Sequence, residues 1–218
     1  MTKQSSSEEN SRVADANRVE AFSDAVFAII TTLLVLEIHR PTGAPGKLAE
    51  ELLASWPAYL AYVLAFLYVG IIWLNHHSLF QLIGKVDLTL NWTNLAGLGM
   101  TAFLPFPTGI MADAFRLGNF ADERAAVTLY AIVAGLMSLA WLPLFVYLNR
   151  HPELMKSNVK AETFAREVSR PIVGVLSYGL AAVLGWFIHP LLAIALFVFM
   201  VVYHAWTCQG VCVRRRAG

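Results

Sequence analysis

Apolar residues along this chain gather into long stretches separated by short polar ones, and six of the stretches approach the roughly 17 to 25 residues that cross a bilayer as a helix. They run over about 17–38, 56–80, 88–112, 123–149, 170–188 and 190–207. Only His189 and Pro190 divide the last two, which predicts a tight hairpin. Pro57 suits the first turn of the second helix, Pro105 and Pro107 predict a break or kink in the third, and Pro143 predicts a kink in the fourth. The segment 151–170 reads as an amphipathic, charged connector. Polar segments 1–16 and 208–218 flank a single helical domain over 17–207, and no repeat is visible within it.

Composition agrees with the pattern. The chain of 218 residues is 57% hydrophobic and 14% charged, against roughly 45–50% and about 25% in soluble domains. It reads as an all-α integral membrane protein. With 16 basic and 15 acidic residues the net charge is +1, which excludes a globally basic nucleic-acid binder. Placement of the basic residues says more than their sum. Six spans put both termini, the second loop and the fourth loop on one side, and that side collects 12 of the 16 basic residues, including Arg214, Arg215 and Arg216. The positive-inside rule then makes both termini cytoplasmic and the protein a multi-pass component of the cell (inner) membrane. The acidic, polar start, with Glu8, Glu9 and Asp15, reads as neither signal nor transit peptide. Cys208 and Cys212 form no disulfide framework or thiol zinc site; they read as free thiols, with reversible palmitoylation as the alternative.

Polar residues inside the spans are costly and therefore informative. The first span carries Arg18, Glu20, Ser23 and Asp24 near its start; the second ends with Trp73, Asn75, His76 and His77; the third begins with Asn91, Trp92, Thr93 and Asn94. Antiparallel spans bring these groups to one layer. Two readings stand. Ser23, Asp24, Trp73, His77 and Asn94 can satisfy one another and lock three helices together, or the Asp24 carboxylate and His77 imidazole can relay protons or bind a cation. His76 and His77 point about 100° apart on a helix and do not share one metal. On the first helix, Phe22, Val26, Ile29, Leu33 and Leu36 are spaced 4, 3, 4 and 3, a stripe suited to packing about a symmetry axis or to facing lipid. Asp24 falls roughly 140° from Ile29, on the side of the helix's own bundle. Neither Gly-x-Ser-x-Gly nor His-Glu-x-x-His occurs, so an enzyme is not expected, and there is no TVGYG segment for a carbonyl filter. A proton-coupled transporter using Asp24 and His77 competes with a channel, although no matched pair of interrupted helices supports it.

The segment RVEAFSDAVFAIITTLLVLEI closely resembles the first helix of the transmembrane protein 175 potassium-channel family, whose signature of Arg, three residues and Phe-Ser-Asp falls here on Arg18, Phe22, Ser23 and Asp24. WLNHHSLF from Trp73 and NLAGLGMTAFLPFPTG from Asn94 resemble that family's second and third helices. The resemblance implies a potassium-permeable cation channel of modest selectivity, with K+ as permeant ion and no cofactor. The single signature implies one six-helix repeat per chain and a homotetramer whose first helices line the pore. It further implies a hydrophobic gate at Ile29, Leu33 and Leu36, a selectivity-associated threonine at Thr32, and a supporting network of Arg18, Phe22, Ser23, Asp24, Trp73, His77 and Asn94. Proton permeation is also implied as a property of related channels.

Overall fold

The computed structural model describes residues 2–41, 43–156 and 168–214, with side chains over 16–41, 43–156 and 168–207. These residues form α1 (Thr2–Leu36), α2 (Leu48–Ala54), α3 (Trp56–Phe80), α4 (Leu88–Ala102), α5 (Pro105–Leu117) and α6 (Phe120–Arg150). A 3-10 turn (Pro152–Leu154), α7 (Ser169–Phe187) and α8 (Pro190–Arg214) complete the order. Among the described residues six segments are long and apolar enough to cross a membrane: Ala16–Leu36, Trp56–Phe80, Leu88–Leu117, Phe120–Arg150, Ser169–Phe187 and Pro190–Thr207. The chain is a multi-pass membrane protein with the six spans that hydropathy predicts.

Local chemistry sets the helix ends. Asp87 caps α4 by accepting from the Leu90 amide at 2.8 Å, and its other oxygen accepts from the Tyr147 hydroxyl of α6 at 2.5 Å. The third span is two helices, because prolines at 105 and 107 cannot donate to the preceding turn and instead open α5. Gly118, at φ 69°, ends α5 in the left-handed conformation, and Asn119 caps α6 through the amides of Ala121 and Asp122. Pro143 lies inside α6 without ending it. Most of the expected connector over 151–170 lies outside the described residues, as do the side chains of Cys208 and Cys212.

Loop contacts establish the up-and-down order independently of hydropathy. The Gly84 and Lys85 amides donate to the Leu154 carbonyl at 2.8 and 2.9 Å, and the Lys156 amide donates to the Leu82 carbonyl at 3.0 Å. The second and fourth loops therefore share one end of the bundle. At the other end His39 Nδ1 stands 3.1 Å from Asp113, and the Phe120 and His189 rings are 5.4 Å apart, which brings the first connection to the last turns of α5 and the fifth connection to the start of α6.

The long α6 is the bundle's centre, packed on α4, α5, α7 and α8, whereas α1 packs on α3, α4 and α5. Small residues allow the close approaches, as they do in membrane bundles generally. A Cβ on Gly97 of α4 would lie 2.5 Å from the Trp141 ring of α6, and one on Gly174 of α7 would lie 2.5 Å from Ser138 Oγ. Trp141 Nε1 also donates to Thr101 Oγ1 at 3.1 Å, so the α4–α6 joint is both tight and bonded.

Candidate functional site

The first helix has two faces of different character. Ala16, Ser23, Phe27, Ile30 and Leu34 are buried against the rest of the chain, at helical spacing. On the far side Phe22, Ile29, Leu33 and Leu36 are 53, 57, 40 and 68% exposed, and Val26 is half-buried. Among the described residues nothing covers the stripe. Thr32 is exposed beside it, and its hydroxyl donates to the Ile29 carbonyl at 2.8 Å.

The polar residues of the first three spans meet in one layer but divide into two groups. In the buried group, Ser23 Oγ donates to the Val19 carbonyl at 2.8 Å and accepts from Asn94 Nδ2 at 3.0 Å, and Asn94 Oδ1 accepts from His76 Nε2 at 2.9 Å. These bonds place the ring proton of a neutral His76 on Nε2. Its Nδ1 is shielded and unpartnered. Three aromatic rings surround the imidazole: Phe80 stacked at 4.3 Å, Phe27 at 5.3 Å and Trp141 at 5.6 Å.

In the outer group Glu20, Asp24 and His77 are half-buried, while Trp73 and Gln81 are exposed. Trp73 Nε1 donates to Asp24 Oδ1 at 2.8 Å. His77 Nδ1 stands 2.9 Å from Glu20 Oε1, near enough for an ion pair when the ring is protonated though not aligned for a hydrogen bond. The Gln81 amide nitrogen lies 2.9 Å from His77 Nε2, which accepts from it in the neutral ring.

The structure corrects the single cluster expected from sequence. His76 rather than His77 joins Ser23 and Asn94, because the buried stripe of α3 runs through Ala61, Ala65, Tyr68, His76 and Phe80. His77 is displaced from that stripe by about 100°. Sequence reasoning missed His76 and Glu20 as partners, and the spacing of that stripe was the signal for the first. Among the described residues Arg18 and Phe22 join neither group; both are exposed, since each lies only about 20° around the helix from Ile29.

Residues 18–105, which contain α3, α4 and all but the first two residues of the transmembrane part of α1, match the family model described as the endosomal/lysosomal potassium channel TMEM175. A protein of Streptomyces collinus described as a potassium channel is 40% identical over 178 residues, covering 81% of this chain and 85% of the relative. This chain belongs to the TMEM175 family. A TMEM175 protein of Gallus gallus, described as an endosomal/lysosomal proton channel, is 29% identical over 199 residues, which are 87% of this chain and 38% of the larger relative. Among solved structures, the chain resembles a lysosomal potassium-selective channel TMEM175 homologue from Chamaesiphon minutus with a TM-score of 0.75 and 30% identity, covering 89% of this chain and 98% of that one. The family match spans the helices that carry both faces of α1 and the two polar groups behind it. The bundle is that of the TMEM175 channels.

Proposed function

We propose that four copies of this chain form a potassium-permeable channel of modest selectivity, with α1 of each copy lining a central pore that Ile29, Leu33 and Leu36 close. The observation that carries this reading is the uncovered apolar stripe on α1, opposite the face bonded to α3 and α4. Kinship with the Streptomyces collinus potassium channel supports the choice of ion. Rings of branched alkyl side chains gate by dewetting, since a narrow apolar neck holds no continuous water column. They offer no ligands to replace lost hydration, so discrimination between K+ and Na+ is modest. Thr32 lies about 60° from Ile29, and because its proton is spent on its own helix, the outward lone pairs present only acceptors to a cation. Both termini are cytoplasmic by the positive-inside rule. The test is single-channel recording from purified protein in planar bilayers under a potassium gradient. Unitary potassium currents are expected, and saturating carrier-like flux without unitary events contradicts the channel.

A second reading, proton permeation or proton coupling through Asp24 and His77, draws support from the description of the Gallus gallus relative. Asp24→Asn in liposomes separates the two. Lost proton flux with intact potassium flux favours the proton reading, whereas parallel loss of both assigns Asp24 to the scaffold.

A further inference from the structure

We propose that Glu20, Asp24 and His77 form a binding site for a first-row divalent cation, Zn2+ foremost, at the junction of α1 and α3. Glu20 and Asp24 stand one turn apart on α1 and His77 faces them from α3, with donor atoms of all three within 4.8 Å of one another. Stacked carboxylates at i and i+4 repel each other, and a shared cation converts that repulsion into binding. Two of the donors are held in place from behind. The Trp73 indole occupies Oδ1 of Asp24 and leaves Oδ2, and the Gln81 side-chain amide lies 2.9 Å from His77 Nε2; turned so that its oxygen accepts the Nε2 proton, that amide leaves the Nδ1 lone pair to a metal. Such outer partners fix the tautomer and direction of metal ligands. His77 Nδ1 is moreover shielded from solvent without an aligned hydrogen bond, although it lies 2.9 Å from Glu20 Oε1. The Nδ1 edge of the ring thus faces both carboxylates.

The donor set selects the ion. One imidazole with two carboxylates suits Zn2+ or Mn2+, whereas Ca2+ takes about six to eight oxygens and Mg2+ keeps most of its water. Ligands about 2.0–2.2 Å from one Zn2+ stand roughly 3–3.5 Å apart, so rotation of the half-buried carboxylates closes the site without a backbone shift. Three protein ligands leave a fourth position for water. The bound cation cross-links α1 to α3 and leaves the Ser23, Asn94 and His76 bonds untouched.

Titration calorimetry with Zn2+ on untagged protein in detergent, with Cys208 and Cys212 replaced by serine so that thiols do not compete, tests the site. One Zn2+ per chain at micromolar affinity is expected, weakened at least about tenfold by His77→Ala and by Glu20→Gln. His151→Ala is the control, since His151 pairs with Glu153 at 2.7 Å, outside the three-donor group, and is expected to leave binding unchanged. Visible absorption of bound Co2+ reports ligation directly and is expected to change in His77→Ala. Absence of saturable binding overturns the site, as does binding that Glu20→Gln leaves intact. Should His77→Ala fail to fold, the near-isosteric Glu20→Gln decides alone.

Discussion

Ile29 and Ile30 are identical neighbours with opposite surroundings: the first is 57% exposed and the second 1%. Ile29→Asn is expected to raise potassium flux from loaded liposomes and loosen selectivity, because in the proposed tetramer a ring of small polar side chains wets the neck. Val35→Asn, also exposed but about 120° around the helix, is expected to leave flux near wild type. Ile30→Asn buries an amide without a partner, at a cost of ~1–3 kcal/mol besides lost packing, and is expected to lower folded yield. Equal flux through the Ile29 and Val35 variants places the pore elsewhere. Behind the stripe, Asn94→Leu strands the His76 N–H and removes the donor to Ser23, so the melting temperature in detergent is expected to fall by an amount corresponding to about 1–3 kcal/mol. His76→Ala is expected to destabilise more than His77→Ala, and the reverse order contradicts the burial pattern. The sequence places Ser23, Asp24, Trp73 and Asn94 in one layer because depth along a helix follows from counting residues. The choice between two adjacent histidines depends on helix rotation, which hydropathy does not report.

The helices themselves were legible wherever length and apolar content decide them. The break between α4 and α5 was legible too, because two prolines remove two amide donors within one turn. At Pro143 the span continues as a single helix, as the apolar stretch over 123–149 predicts: the residue is exposed on α6 and the neighbouring turns carry the helix past the missing bond. Pairwise packing was hidden, since Gly97 and Gly99 look alike in sequence. A side chain at Gly97 meets the Trp141 ring, whereas a Cβ at Gly99 meets nothing within 4 Å. Gly97→Val is expected to lower the melting temperature by the equivalent of about 1–3 kcal/mol through overpacking. Gly99→Ala is expected to leave it unchanged or raise it, given the helix propensity gained. Thermal unfolding in detergent checks both.

At the level of the whole molecule, alternation of the six spans was readable from charge, and the paired second and fourth loops bear out the alternation. The proposed assembly rests on the exposed apolar face of α1, which contacts within one chain do not explain. Native mass spectrometry in mild detergent is expected to find four chains per particle; a stable monomer, or a dimer that still conducts, contradicts the proposed pore. For orientation, a membrane-impermeant maleimide added to intact cells is expected to label Lys47→Cys and spare Lys85→Cys, with Cys208 and Cys212 replaced by serine. Labelling of Lys85→Cys alone inverts the topology.

The polar attachments of α1 within the membrane cluster between Glu20 and Asp24, while Phe27, Ile30 and Leu34 beyond them offer only apolar contact. Mechanically this is a lever pinned near one end and greased along its arm, with the exposed His39–Asp113 pair tethering the chain just past its tip. Leu36 lies about 18 Å from Asp24 and Ile29 about 7.5 Å, at ~1.5 Å per residue. A tilt of about 10° about the pinned end therefore moves Leu36 by about 3 Å and Ile29 by only about 1 Å. Rotation of the helix about its own axis, by contrast, turns every side chain of the stripe through the same angle and strains the pin directly, whereas swinging strains only the solvent-exposed His39–Asp113 pair.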